Sequence, residues 1–239
     1  MKRTIIVAFL VAAGVWQAAG ASAGTVDFPD FSNTRDLELN GAAGVATEDD
    51  VLRLTPNAGG EVGSAFTDRK IIRTDRSFET RFKFSIHNGS VTPAEGMAFV
   101  IQPGSPDALG GSDLTALGYA DIDPSLAVEF DIFENPGSGD PDGNHVGFMR
   151  DGDAQTHLAA ASPDFDLEGG NRWAWIDYSA KRKRIKVYLN DEKTKPLQAL
   201  VTLNKRLRSL VGDKARAGFT ASTGETENAM FDVLSWKLK

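Results

Sequence analysis

The stretch at residues 128–148, VEFDIFENPGSGDPDGNHVGF, decides how the rest of the chain is interpreted. Its first half alternates like a β-strand, in which successive side chains point to opposite faces. One face is therefore expected to carry Glu129, Asp131, Phe133 and Asn135. The segment PGSG at residues 136–139 then forces a loop. That loop returns Asp140 toward the same face, and a second strand is predicted to begin at His145.

Such a cluster of acids needs counter-charge. Two carboxylates about 4 Å apart repel by roughly 4 kcal/mol at an effective dielectric near 20, so three of them must bind protons or recruit cations. Hard divalent cations prefer oxygen ligands, and a site that includes an imidazole suits a transition ion such as Mn²⁺. For any one residue, a plain acidic strand face is the better interpretation. Six positions together favour a metal site.

The spacing resembles the metal-binding segment of the legume-type (L-type) lectins. These proteins carry an acid, x, Asp, x, aromatic, x, Asn, then Asp five residues on and His five further. The resemblance implies that a Mn²⁺-type ion is held by Glu129, Asp131, Asp140 and His145. It implies that Ca²⁺ is held by Asp131, the Phe133 carbonyl, Asn135 and Asp140. It further implies that Asn135 contacts a sugar hydroxyl while the Phe133 ring stacks on the sugar.

The resemblance also implies sugar contacts outside the metal segment, and two of them depart from the family. Glu95 stands where the family has an Asp preceded by a cis peptide bond, so it either accepts sugar hydroxyls or is a plain solvated acid. Thr115 stands where a glycine usually offers its N–H, and a positive φ would be costly for a β-branched residue. The last contacts are expected from Thr226 and Glu227. A lectin of unusual specificity and a metal-stabilised lectin-fold protein without simple-sugar binding both remain open.

An enzyme is the alternative from a different class. Residues 129–134, EFDIFE, also resemble the Glu-x-Asp-x-x-Glu motif of jelly-roll β-glucanases, with Glu129 as nucleophile and Glu134 as acid/base. Retaining hydrolysis needs these carboxyls about 5–5.5 Å apart, which would require a β-bulge. This interpretation leaves Asn135, Asp140 and His145 without a role. The other two histidines, His87 and His157, have no evident partners in the sequence and are predicted to be surface or loop residues.

The rest of the chain has the pattern of an all-β protein. Short β-rich runs alternate with Gly and Pro turns, for example at residues 51–54, 77–86, 97–102, 126–132, 173–178, 185–189 and 233–238. Many short strands without long amphipathic helices indicate a sandwich or jelly roll. The resemblance, which extends over residues 24–239, implies a single lectin-like domain with a concanavalin-like β-sandwich of antiparallel sheets.

The N-terminus and the composition set the expected location and partners. Residues 1–23 combine Lys2, Arg3, an apolar run and small residues at a cleavage position, which predicts a signal peptide. The chain is therefore expected to be a secreted or periplasmic, bacterial-like member without membrane insertion after cleavage. It has no cysteine and a net charge of −7, which disfavours nucleic acid. Glycans or polysaccharide are the expected partners, with a homodimer through sheet edges as a further hypothesis.

Overall fold

The computed structural model describes residues 24–87, 89, 92, 94–111 and 114–239. The expected signal peptide, residues 1–23, lies outside the described residues. Within them the chain forms sixteen β-strands. The strands are β1 (Val26–Phe28), β2 (Leu37–Gly41), β3 (Gly44–Ala46), β4 (Val51–Thr55), β5 (Val62–Thr67), β6 (Ile72–Arg73), β7 (Phe78–His87), β8 (Gly96–Gln102), β9 (Leu126–Asp131), β10 (His145–Arg150), β11 (Ala159–Ala161), β12 (Gly170–Ser179), β13 (Arg184–Asn190), β14 (Val201–Leu203), β15 (Lys214–Ser222) and β16 (Met230–Leu238).

The strands form two sheets. The front sheet has the order β11-β10-β9-β8-β15-β5-β2, with β6 added beside β15. The back sheet has the order β14-β13-β12-β7-β16-β4-β3, with β1 added beside β16. All pairings between these strands are antiparallel. The predicted all-β, antiparallel sandwich is therefore confirmed.

Aromatic rings from both sheets meet in the interior and hold the sandwich together. Phe82 of the back sheet lies with its ring centroid 5.0 Å from Phe219 and 5.6 Å from Phe130, both of the front sheet. Trp236 of the back sheet adds an edge contact to Phe219 at 5.0 Å. All four side chains are buried. Burying a side chain of this size contributes about 1.5–3 kcal/mol, so this cluster is a major source of stability for a chain without disulfides.

The predicted strand segments all lie within or across observed strands, with ends that differ by a few residues. The basic run at residues 181–186 contains a hairpin turn, because β12 and β13 pair with Ser179 opposite Arg184. Helix is confined to the 3₁₀ turn Leu114–Ala116 and to α1 (Arg208–Val211) among the residues described. None of the described helices has the length and apolarity needed to cross a bilayer.

One row of residues across the front sheet positions the candidate site. Ser222 on β15 lies opposite Gly96 on β8, and Gly96 lies opposite Asp131 on β9. Asp131 in turn lies opposite His145 on β10. Strands β15 and β9 end at this row, and β8 and β10 begin at it. The segments that leave the row therefore emerge at the same end of the sheet, although they are distant in sequence.

Candidate metal and sugar site

Strand β9 sends its acids away from the core. Val128 and Phe130 pack in the interior of the sandwich, so Glu129 and Asp131 point to the outer side of the front sheet. Both acids are nevertheless only 3% exposed, because neighbouring segments cover them. The predicted face is confirmed for these two residues.

The strand ends at Asp131, earlier than the alternation in the sequence suggests. Phe133 and Asn135 belong to the following loop, which the acids themselves hold in place. The Phe133 N–H donates to Asp131 Oδ1 at 2.7 Å, and the Asn135 N–H donates to Asp140 Oδ2 at 2.7 Å. Asp140 thus returns to the site as expected, and its carboxylate accepts a hydrogen bond from the Asn135 backbone amide of the loop.

His145 completes the cluster that the spacing predicted. Its Nε2 lies 3.5 Å from Glu129 Oε1 and 3.8 Å from Asp140 Oδ1. Its Nδ1 lies 2.8 Å from the Asp142 carbonyl oxygen. Because a carbonyl can only accept, Nδ1 donates to it, and Nε2 is left facing the acids, where its lone pair can bind a metal ion in the neutral ring.

His157 also lies in this cluster: it is in a loop, as predicted, but the expectation that it lacks partners is wrong. Its Nε2 forms a short hydrogen bond with Glu129 Oε1 and lies 3.2 Å from His145 Nε2. The Tyr119 hydroxyl donates to the other Glu129 oxygen at 2.9 Å. The backbone Leu158 N–H donates to the Phe148 carbonyl. This pairing, which continues into the β10–β11 hairpin, brings His157 to the site.

His87 was also predicted to lack partners, and that prediction is wrong as well. Its Nε2 lies 2.9 Å from Asp232 Oδ2. Asp232 is buried and accepts two hydrogen bonds from the Arg53 guanidinium. These three residues form a second charged cluster, on the back sheet, in which the chain itself supplies the partners of the single carboxylate.

Burial and mutual repulsion disturb the titration of the front-sheet acids. Burial raises the pKa of Asp131 well above its ordinary range, and the negative charges of Glu129, Asp140 and Glu95 raise it further. Burial also works to raise the pKa of Glu129, but the imidazoles of His145 and His157 outweigh it and lower that pKa to about 2. The hydrogen bond to Glu129 raises the pKa of His157. The cluster therefore holds more negative charge than it can easily keep.

The donor set suits cations. Ligand atoms of Asp131, Asp140 and His145 lie within 4.8 Å of one another, as do those of Glu129, His145 and His157. No lysine or arginine among the described residues pairs with Glu129, Asp131 or Asp140. Carboxylate oxygens suit Ca²⁺, and a mixed imidazole and carboxylate set suits a transition ion. The residues present thus fit the ions that the resemblance implies.

Glu95 lies beside the metal cluster rather than in solvent. It is 6% exposed, and its Oε2 accepts a hydrogen bond from Asn135 Nδ2 at 3.1 Å. The Ile132 N–H donates to the Glu95 carbonyl oxygen at 3.0 Å. The interpretation of Glu95 as a plain solvated acid is therefore wrong. Among the described peptide bonds Asp123–Pro124 is cis, whereas Ala94–Glu95 is not.

The remaining predicted sugar contacts lie on segments that leave the same end of the sheet. Thr115 is in the 3₁₀ turn, whose Leu114 carbonyl accepts a hydrogen bond from Ser222 Oγ. The φ of Thr115 is not positive, so the backbone strain considered for this β-branched residue does not arise. Thr226 and Glu227 follow β15 and contact each other, with Thr226 Oγ1 donating to Glu227 at 3.1 Å. Of the predicted sugar contacts, Glu95 and Asn135 are joined directly by a hydrogen bond.

The geometry does not favour the hydrolase interpretation. Glu129 is buried and engaged by Tyr119 and His157, whereas Glu134 is exposed in the loop beyond β9. The register of β9 with both neighbours is unbroken through Asp131, so the bulge that would bring the two acids together is not found there.

Comparison with known proteins extends over the whole described sandwich. A family model described as the legume lectin domain matches residues 24–239. A lectin from Leucomphalos mildbraedii is 31% identical over 232 residues, which cover 89% of this chain and 93% of that lectin. The L-type lectin-domain containing receptor kinase S.6 of Arabidopsis thaliana is 32% identical over 169 residues, covering 70% of this chain but only 24% of the kinase. The crystal structure of basic winged bean lectin with Tn-antigen has a TM-score of 0.74 and 26% identity, covering 90% of this chain and 96% of that one.

Proposed function

The chain belongs to the legume lectin domain family. From that premise we propose that it recognises glycans, without catalysis, through a site ordered by Ca²⁺ and a transition ion. Glu129, Asp131, Asp140 and His145 would hold the transition ion. Asp131, the Phe133 carbonyl, Asn135 and Asp140 would hold Ca²⁺. We further propose that residues 1–23 direct export, so that the mature protein acts in the periplasm or outside the cell.

The hydrogen bond between Glu95 and Asn135 is the observation that carries the proposal. It joins two polar side chains from segments 40 residues apart, beside the acids of the metal cluster. Asn135 is tied through its N–H to Asp140, a proposed ligand of both ions. An ion bound to Asp140 would therefore hold the loop that presents Asn135. A sugar hydroxyl could then pair with the Glu95 carboxylate and the Asn135 amide, while the apolar face of the sugar ring lies on the half-buried Phe133 ring.

A site of this kind is shallow and should bind a single sugar weakly. Useful avidity would come from several copies of the domain on a repeated glycan. The outer strands β11 and β2 of the front sheet and β14 and β3 of the back sheet leave edges available for pairing. We propose a homodimer through such an edge.

A metal-stabilised protein without simple-sugar binding is the second candidate. Its support is the pair of departures at Glu95 and Thr115, since both lie where the family contacts sugar. A longer acid at position 95 moves the carboxylate by about one bond length. A Glu95→Asp variant separates the candidates, because it should gain sugar binding only if the wild type has lost it through this residue.

A glycan array with and without Ca²⁺ and Mn²⁺ tests the proposed function. We expect binding to a restricted set of glycans when the ions are present, and no binding after EDTA. Asn135→Ala should abolish the signal, while Asn171→Ala, an exposed asparagine on β12, should leave it unchanged. An ion-independent signal, or one that survives Asn135→Ala, would contradict the proposal.

A further inference from the structure

We propose that His157 is a fifth protein ligand of the transition-ion site and that the resulting pair of imidazoles makes this site select Zn²⁺ over Mn²⁺. The inference rests on the transition ion of the proposed function, but it concerns a residue outside the ligand set that the sequence spacing implies. His157 would add a second nitrogen to the four protein ligands of that set.

The donor atoms have separations that an ion can bridge. His157 Nε2 lies 3.2 Å from His145 Nε2 and 4.0 Å from Asp140 Oδ1, and His145 Nε2 lies 3.5 Å from Glu129 Oε1. Neighbouring donors on an ion with bonds of about 2.1 Å lie roughly 3.0–3.4 Å apart. The observed separations thus need only small shifts. The largest shift is a widening of the short contact between His157 and Glu129.

The sheet leaves a space for the His157 ring. Gly147 on β10 lies directly opposite Glu129 on β9, on the face that carries the acids. A Cβ added to Gly147 would lie 2.5 Å from His157 Cδ2 and would collide with Glu129 Oε1. Any other residue at position 147 would therefore displace the His157 ring, the Glu129 carboxylate or both. The side chain of His157 is only 10% exposed, so the ring is enclosed by the cluster.

Both rings turn Nε2 toward the acids. His145 donates from Nδ1 to the Asp142 carbonyl, which leaves the lone pair of Nε2 to bind an ion. His157 places its Nε2 against the same Glu129 oxygen that His145 approaches. The two imidazoles and the carboxylates therefore converge on one point, as ligands of a single ion do.

The selectivity follows from the donor chemistry. Affinity for divalent ions at a nitrogen and oxygen site rises from Mn²⁺ through Co²⁺ to Cu²⁺, with Zn²⁺ also well above Mn²⁺. Carboxylate and water suit Mn²⁺, whereas imidazole suits Zn²⁺. Adding a second imidazole should thus raise the affinity for Zn²⁺ more than the affinity for Mn²⁺.

Competition titration of the EDTA-treated and dialysed full chain tests the inference, with Zn²⁺ and Mn²⁺ as the probes. We expect wild type to bind Zn²⁺ more tightly, and His157→Gln to weaken Zn²⁺ binding by at least about tenfold and Mn²⁺ binding by less than about threefold. His87→Gln, which removes a histidine outside the site, is the matched control and should change neither affinity. Equal Zn²⁺ affinity in wild type and His157→Gln would overturn the inference.

X-ray absorption of the Zn²⁺-loaded wild type keeps the inference testable if His157→Gln does not fold. We expect two imidazoles in the shell of the ion, and a single imidazole would overturn the inference. Either negative result leaves the proposed function standing, provided that glycan binding still needs ions. Failure of wild type to bind any ion would overturn both.

Discussion

Buried carboxylates occur at two places in this molecule, a single acid on the back sheet and several on the front sheet, and their charge is balanced in different ways. On the back sheet, Asp232 is 4% exposed and is held by the Arg53 guanidinium through hydrogen bonds of 2.9 and 2.8 Å, with His87 beside it. On the front sheet, Glu129 and Asp131 are equally buried, and the described chain supplies only histidines to balance them.

This difference distinguishes a structural cluster, on the back sheet, from a cluster on the front sheet that is suited to bind a cation from solution. A buried carboxylate is tolerated when a partner charge and hydrogen bonds satisfy it, and Asp232 has both. Asp131 has a backbone hydrogen bond but no lysine or arginine partner among the residues that the structure describes, and its pKa is raised by burial and by the acids around it. Ions should therefore stabilise the front cluster and leave the back cluster unaffected.

Removing the ions should have the largest effect. Each ion present at about 100 times its Kd stabilises the fold by about 2.7 kcal/mol, so removing both would cost roughly 5 kcal/mol. Thermal or urea unfolding with and without EDTA measures this, and glycan binding should disappear in parallel. An unchanged melting temperature in EDTA would show that the front cluster, like the back cluster, needs no ion.

Arg53→Met should have the next largest effect. It leaves Asp232 buried without its main partner, which should cost roughly 3 kcal/mol of unfolding free energy. Urea unfolding should give the same loss with and without EDTA, because this cluster needs no ion. Arg150→Met is the matched control, since the Arg150–Asp151 pair is exposed, and it should change stability by less than about 0.5 kcal/mol. A loss of unfolding free energy that depends on EDTA would show that the two clusters are coupled, which would contradict this prediction.

Asp131→Asn should act in opposite directions in the two states of the protein. In the metal-free state it removes repulsion while the amide oxygen can still accept the Phe133 N–H, so stability should rise by roughly 1 kcal/mol. With ions present the variant should lose most of their stabilisation. Asp191→Asn, an exposed acid, serves as control in the same unfolding series. A metal-free variant that is less stable than wild type would mean that Asp131 is already satisfied.

The pH dependence of the metal-free protein should show the smallest effect. Raised pKa values in the folded state, as for Asp131 and His157, give stability that is present at low pH and lost as pH rises through them. The pKa of Glu129 is lowered to about 2, so this residue changes the stability only below about pH 4.5. Unfolding free energy of EDTA-treated protein should therefore fall between pH 5 and 8. A rise with pH over this range would contradict the assignment.

The sequence predicted the sandwich and the core of the site because both depend on local patterns. Alternation on β9 identified the outward-facing acids, and the fixed spacing to Asp140 and His145 marked the returning loop. The early end of β9 was not visible, because Phe133 and Asn135 continue the alternation although they lie in the loop.

Contacts across strands were the part that local patterns could not predict. His157 reaches Glu129 only through the pairing that continues into the β10–β11 hairpin, and His87 meets Asp232 from 145 residues away. The one available signal for His157 was Gly147, a residue without a side chain in an otherwise β-rich strand beside the acids. A glycine there indicates that another group approaches closely.

Equilibrium dialysis followed by elemental analysis determines whether cations from solution complete the front cluster. EDTA-treated wild type, returned to buffer with Ca²⁺ and either Zn²⁺ or Mn²⁺, should retain a calcium ion and a transition ion in each chain. Arg53→Met should retain the same ions, and Asp131→Asn should lose both. Wild-type protein that retains no ion above the buffer level would contradict the account.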